Sequence, residues 1–165
     1  GVRAVWPDEK PLGVRLSATD WVEGGWSVED SVATSKELKS RGCDYVTASS
    51  GGSGPEQDIE IGPNYQVPFA ESIRREAEIP TVAVGLITEF QQAEDILQNK
   101  QADIIALARG MIFNPRWPWH AHMATQRWPS RPLGSLQAEA WLLQLALHSG
   151  CAGYRAVRRP ESPRQ

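Results

Sequence analysis

Four short apolar runs, each ending in a loop of small or polar residues and each followed by a helical pattern, constrain the fold of this chain more than any other feature. The runs are "PLGVRLSATDW" (11–21), "CDYVTASSGG" (43–52), "PTVAVG" (80–85) and "ADIIALARG" (102–110). They are apolar throughout rather than alternating, which is typical of parallel strands buried on both faces. We therefore predict an α/β fold with parallel strands at about residues 12–17, 44–49, 80–84 and 103–108.

The segments between these runs carry helix signals. "SVEDSVATSKELKSRG" begins with Ser27 as a candidate N-cap, has Asp30 three residues later and ends at Gly42. Further helices are predicted in "QVPFAESIRREAEI" and in "TEFQQAEDILQNKQ", the latter capped by Thr88. Four β/α units in this order suit either a doubly wound open sheet or part of a (β/α)8 TIM barrel.

Composition excludes several functional classes. The chain has 165 residues, a hydrophobic content of 41% and a net charge of −3, which suits one soluble globular core and disfavours nucleic acid as a partner. No apolar stretch approaches the roughly 18 to 20 residues of a membrane span. The N-terminus shows no signal peptide, and Cys43 and Cys151 lack the spacing of a metal site or a disulfide scaffold. We expect a cytoplasmic protein without a metal site.

The C-terminal segment differs in charge from the rest. From Arg127 onward six Arg stand against two Glu, a net charge of +4, whereas residues 1–126 carry −7. We predict two segments, a β/α domain at 1–126 and a basic tail at 127–165. The stretch "LQAEAWLLQLALHSG" predicts one amphipathic helix in this tail, ended by Gly150, and the remainder has the composition of a disordered tail.

The last two apolar runs both stop at small residues, Gly85 and Ala108, and the second is followed at once by Arg109. In both candidate architectures ligands bind at the loops that follow the strands. Glycine permits close backbone approach, and an arginine can bind an anion through a two-pronged contact. From chemistry alone these residues indicate either a phosphate site or two ordinary turns.

Seven pieces of the sequence, in order and register, resemble one protein family. They are "RLSATDWVEGG", "SSGG", "GPNYQVPFAESIR", "TVAVGLIT", "QAEDIL", "ADIIALAR" and "NPRWPWHAH". Together they resemble the C-terminal half of an Old Yellow Enzyme family flavin oxidoreductase, of the bacterial ene-reductase branch, over about residues 1–126. The resemblance implies an FMN-binding TIM barrel that takes hydride from NAD(P)H and passes it to an activated alkene such as an enone.

The resemblance also implies individual roles for site residues. The cofactor-binding set that it implies is Arg15, Ser50, Gly51, Gly85, Ala108 and Arg109. Arg15 matches the strand arginine at the flavin's pyrimidine edge and is the implied catalytic residue, because a cation there stabilises charge on the reduced ring. Ala108 stands where some relatives have glycine. By chemistry alone, Arg15 could instead pair with Asp20 or Asp44.

Three other features favour structural roles. His120 and His122 are two residues apart and so do not share a helix face, which argues against a metal pair. Tyr65 lies in a loop before a helix and is expected to pack rather than to donate a proton. The tryptophans of the C-terminal region are likewise expected to pack.

The resemblance implies that four β/α units precede Arg15 in a complete barrel, together with the residues that activate the substrate. We therefore expect this chain alone to be inactive toward enones. Two hypotheses remain: the flavin-phosphate half of an FMN-dependent oxidoreductase, or a non-catalytic half-barrel that binds a phosphorylated ligand or a complementary half-barrel. Because a half-barrel leaves unpaired strand edges, we also expect the isolated chain to self-associate.

Overall fold

The computed structural model of the protein describes residues 1–52 and 54–124. The strands are β1 (Gly13–Ser17), β2 (Tyr45–Ser49), β3 (Thr81–Ala83) and β4 (Ile104–Ile105). The α-helices are α1 (Val28–Ser40), α2 (Val67–Ala77), α3 (Phe90–Gln98), α4 (Arg109–Phe113) and α5 (Trp117–Ala124), and a 3-10 turn spans Val2–Ala4. The predicted tail helix lies outside the described residues.

The four strands form one sheet in the order β1-β2-β3-β4, and each neighbouring pair is parallel. The predicted α/β class and the four parallel strands are thus confirmed. Strand order that follows chain order is consistent with part of a TIM barrel. A doubly wound sheet reverses its order at a switch point, and the four described strands contain no such reversal. The half-barrel itself stays a prediction.

One face of the sheet carries the core. Val46 and Ala48 of β2 are fully buried and belong to the same apolar cluster as Ala70 and Ile73 of α2. The other face of β1 is polar, since Arg15 and Ser17 are exposed. The expectation that every strand is buried on both faces is therefore correct for β3 and wrong for β1 and β2, whose side chains alternate between covered and open faces.

The first helix begins as predicted. The Asp30 backbone N–H donates to Ser27 Oγ at 3.2 Å, and the Ser27 N–H donates to Asp30 Oδ2 at 3.0 Å, which completes a capping box. These hydrogen bonds favour the charged carboxylate and lower the pKa of Asp30. Gly42 follows the helix with φ +84°, in the left-handed region that ends many helices.

The start of α3 differs from the prediction. Glu89, not Thr88, is the N-cap residue, and the cap is closed by Gln92. Gln92 Oε1 accepts the N–H of Thr88 at 2.8 Å and of Glu89 at 3.2 Å. The prediction was wrong because a glutamine three residues into the helix reaches back over both N–H groups, which moves the helix start one residue along the chain.

A buried ion pair joins helix and sheet at the edge where the strands begin. Arg74 of α2 contacts Asp103 with Nη2 to Oδ1 at 3.0 Å and with Nε within 3.1 Å of both carboxylate oxygens. Asp103 Oδ2 also accepts the Thr81 N–H at 2.9 Å, and the Asp103 N–H donates to the Thr81 carbonyl at 3.0 Å. The pair thereby holds α2, β3 and β4 together.

Membrane spans and cysteines were two further points of the sequence analysis. Among residues 1–52 and 54–124 no helix is long and apolar enough to cross a membrane. Cys43 is a free, buried thiol whose pKa is raised because burial disfavours the thiolate. Cys151 lies outside the described residues.

Candidate functional site

The predicted site residues lie on the open face of the sheet or in the loops that follow its strands. Arg15 is inside β1, Ser50 and Gly51 follow β2, Gly85 follows β3, and Ala108–Arg109 follow β4. Because parallel strands end at the same edge of a sheet, the structure brings these loops to one edge. The sequence prediction placed them there for the same reason.

Arg15 projects from the open face and is exposed. Its Nη2 donates to Ser49 Oγ at 2.8 Å. Ser49 lies on the neighbouring strand β2, two residues beyond Thr47, the residue that pairs with Arg15. The ion-pair alternative is wrong: Asp44 contacts Arg3 at 3.3 Å, and Asp20 accepts the Trp26 N–H at 2.9 Å. Arg15 therefore presents an oriented positive charge beside the sheet.

The loop after β2 is anchored by a buried polar contact. Ser50 is buried, and its Oγ lies 3.2 Å from Oε1 of the buried Gln66. Gly51 has φ +78°, and a Cβ at this position would lie 2.5 Å from Cδ1 of Ile59. The positive φ therefore favours glycine at Gly51, whereas the end of the Ile59 side chain could move to admit a Cβ.

The loop after β3 approaches the same glutamine. Gly85 has φ +111°, and a Cβ there would lie 2.9 Å from Gln66 Nε2 and 3.1 Å from Gln66 Cβ. Gln66 therefore sits between the loops that follow β2 and β3. Gln66 was not predicted as a site residue from the sequence, although it belongs to the matched stretch "GPNYQVPFAESIR".

Arg109 is the first residue of α4, which is separated from the end of β4 by residues 106–108; Ala108 is the N-cap residue, and both are exposed. Ala83 pairs with Ile105, so the loops that contain Gly85 and Arg109 follow neighbouring strands. Within the part of the chain that the structure describes, the Arg109 guanidinium has no hydrogen-bond or ion-pair partner.

The two loops also contain backbone N–H groups without a protein acceptor. Across the described ranges, the N–H groups of Gly85, Leu86, Arg109 and Gly110 donate to no protein acceptor. Unpaired N–H groups beside an arginine form an arrangement that binds anions, because both carry positive charge toward the ligand. The loops after the last two strands therefore contain unpaired donors of the kind that bind anions.

His120 and His122 lie in different environments. His120 is exposed, with Nδ1 2.9 Å from Asn114 Nδ2. His122 is buried, and its pKa is lowered because burial disfavours the charged imidazole. No group of three or more His, Cys, Asp or Glu suited to a metal ion occurs in the described part of the chain. Trp117 packs on Phe90 with ring centroids 4.9 Å apart, as expected for a packing residue.

The fold is a parallel β/α sheet, and the predicted site residues lie in β1 or in the loops that follow its strands. The chain belongs to the NADH:flavin oxidoreductase / NADH oxidase family, whose pattern it matches over residues 2–127. The resemblance to the Old Yellow Enzyme family is thereby confirmed. FMN and NAD(P)H are the cofactors that this family implies.

Several bacterial relatives are named NADPH dehydrogenase. The chain is 51% identical to one from a Geobacillus species over 120 residues, which is 73% of this chain and 34% of the relative. It is 45% identical to one from Halalkalibacterium halodurans over 141 residues, 86% of this chain and 40% of the relative. A Bacillus subtilis relative is 42% identical over 114 residues, 69% and 33% of the two chains. The chain thus spans about a third of the length of the curated relatives that it matches.

Substitution of Gly85 should disturb the loop after β3. In Gly85→Ala the added Cβ meets Gln66 in a backbone conformation that L-residues rarely adopt, so we expect a loss of about 1 to 3 kcal/mol in the free energy of unfolding. Chemical denaturation would measure it. Gly24→Ala is the control, because Gly24 also has a positive φ, +74°, but open space around it. Equal losses in the two variants would show that the contact with Gln66 has no energetic consequence.

Proposed function

We propose that this chain forms the FMN-phosphate and pyrimidine-edge part of an NAD(P)H-dependent oxidoreductase that reduces activated alkenes such as enones. The proposal rests on one observation. Two sets of donors that have no acceptor in the described residues, the Arg109 guanidinium and the N–H groups of Gly85 and Leu86, lie at the same edge of the sheet. Family membership supports the reaction class.

Arg109, Gly85 and Ala108 would hold the phosphate of FMN. Arg109 supplies a charge-assisted contact with two N–H groups in a fixed fork. Glycine at position 85 leaves the backbone open to close approach, and Ala108 keeps its backbone N–H available. Ser50 and Gly51, at the end of the neighbouring strand, would line the same edge next to this contact.

Arg15 would act at the other end of the cofactor. Its guanidinium is oriented by Ser49 and is free of a carboxylate partner in the described residues. When bound, FMN supplies the hydride chemistry of the family. Arg15 would stabilise the negative charge that accumulates near the pyrimidine edge, and because Ser49 holds it in place, little reorganisation is needed.

A second candidate function is a non-catalytic half-barrel that binds a phosphorylated ligand or a complementary half-barrel. The polar open face, with Arg15 and Ser17 exposed, and the unpaired outer edges of β1 and β4 favour it. Such edges can add further strands. In this case a phosphorylated ligand would bind without any redox change, and the isolated chain would self-associate in analytical ultracentrifugation.

Flavin reduction separates the two functions. The protein, purified in the dark and saturated with FMN, should show the visible absorbance of a bound flavin. NADPH should bleach this absorbance under anaerobic conditions. Because the chain alone is expected to be inactive toward enones, an enone should restore the absorbance only after a complementary N-terminal half-barrel from a relative is added. Bound FMN that is not bleached by NADPH or NADH would favour the non-catalytic function. Failure to bind FMN at all would refute the cofactor assignment.

A further inference from the structure

Gln92, at the start of α3, makes four hydrogen bonds with its one side-chain amide. Oε1 accepts the N–H groups of Thr88 and Glu89, at 2.8 and 3.2 Å. Nε2 donates to Asn64 Oδ1 at 2.5 Å and to the Leu86 carbonyl at 2.9 Å. The amide therefore uses both donor and both acceptor positions that an amide side chain offers. Capping α3 requires only the two contacts to Oε1.

The two contacts of Nε2 act on the loop after β3. Three carbonyl oxygens of this loop accept hydrogen bonds from the protein. Gly85 O accepts from the Asn64 N–H at 3.1 Å, Leu86 O from Gln92 Nε2 at 2.9 Å, and Thr88 O from Trp117 Nε1 at 3.0 Å. The N–H groups of Gly85 and Leu86 have no protein acceptor in the described residues. When the carbonyl oxygens of a loop are hydrogen-bonded to the protein and its N–H groups are not, the loop presents the partial positive charge of those N–H groups to a ligand.

The backbone of the loop needs this support. Gly85 and Leu86 both have positive φ, +111° and +49°. The left-handed conformation is unfavourable for leucine, so it persists only when neighbouring contacts hold it. The Leu86 carbonyl is held by Gln92, and Gln92 in turn is held by Asn64 and by the start of α3.

We infer that Gln92 is a positioning residue for the cofactor phosphate, which it orients by fixing the Gly85–Leu86 backbone rather than by touching the ligand. The inference rests on the proposed function, since the ligand of this loop is taken to be the phosphate of FMN. The inference does not extend to the neighbouring Gln91, which is exposed on the same helix and whose side chain hydrogen-bonds, within the described residues, to Asp95 at 2.7 Å.

The test compares the binding of FMN and of riboflavin, which lacks the phosphate, by fluorescence titration. Wild type should bind FMN at least about tenfold tighter than riboflavin. In Gln92→Met, which keeps the length of the side chain but removes all four hydrogen bonds, this preference should fall by about fivefold or more through weaker FMN binding alone. Gln91→Met should retain the wild-type preference.

A second variant covers the case in which Gln92→Met does not fold. Gln92→Glu keeps the acceptor for Thr88 and Glu89, and so the start of α3, but cannot donate to Leu86 or Asn64. It should lose the preference for FMN as well, whereas Gln91→Glu, which adds the same charge, should not. Hydrogen exchange of the flavin-free protein should also be faster over residues 85–88 in Gln92→Glu.

Each result has a defined meaning. An unchanged FMN preference in the Gln92 variants, or an equal loss of FMN and riboflavin affinity, would overturn the positioning role. A wild-type protein that binds FMN and riboflavin equally would overturn the phosphate assignment itself, and the inference with it. The two failures are therefore distinguishable.

Discussion

Replacing Arg109 by alanine should weaken FMN binding by about 2 to 3 kcal/mol, roughly 30- to 160-fold in Kd. The change removes a charge-assisted contact to the phosphate, which two parallel N–H donors can make bidentate. Arg109→Lys should recover only part of the loss, because an ammonium group offers a point charge without the planar fork. Titration of flavin fluorescence at constant ionic strength would measure all three affinities.

Arg116→Ala is the matched control. Arg116 is also exposed, lies seven residues further along the chain and loses the same charge, but no candidate site residue adjoins it in sequence. Its FMN affinity should stay within about twofold of wild type. Riboflavin binding should be unchanged in every variant. Equal FMN affinity in wild type and Arg109→Ala would remove the phosphate assignment.

Replacing Arg74 by methionine should lower the free energy of unfolding by about 3 to 5 kcal/mol. The substitution leaves Asp103 charged and without its cation, although its side chain is only 5% exposed. The hydrogen bond from the Thr81 N–H does not replace the positive charge lost beside the desolvated carboxylate. Urea denaturation followed by circular dichroism would give the change in stability.

Arg75→Met serves as the control for this prediction. Arg75 is the next residue of α2, is exposed, and contacts Glu76 at 3.0 Å on the surface. A surface ion pair contributes at most about 1 kcal/mol, so this variant should unfold close to wild type. Similar stabilities of Arg74→Met and Arg75→Met would mean that the contact with Asp103 does not hold the sheet and α2 together.

Local patterns in the sequence determined much of the fold. Each predicted strand overlaps an observed one, and the capping box of Ser27 and Asp30 forms as expected. Both depend on neighbouring residues, whose hydrogen-bonding and apolar periodicity can be read directly from the chain. Strand ends were less predictable: β4 spans Ile104–Ile105, not 103–108, because strand length depends on the pairing partner as well as on composition.

The order of the elements also determined the position of the candidate site. In a parallel sheet every strand ends at the same edge, so Gly85 and Arg109 had to approach one another once the β/α alternation was recognised. From chemistry alone, the charge of Arg109 and the small side chains beside it indicated either a phosphate site or two ordinary turns, and the family resemblance favoured the phosphate site. These conclusions needed no knowledge of any side-chain contact.

Only the tertiary structure decided which residues support the site. Ser49 rather than an aspartate orients Arg15, Gln66 separates the loops after β2 and β3, and Gln92 holds the Leu86 carbonyl. Two of these contacts join residues from different β/α units, and all three depend on strand register and side-chain direction. A one-residue slip of a strand would turn its side chains to the opposite face. The sequence by itself therefore determined where the loops meet, and packing decided which side chains shape them.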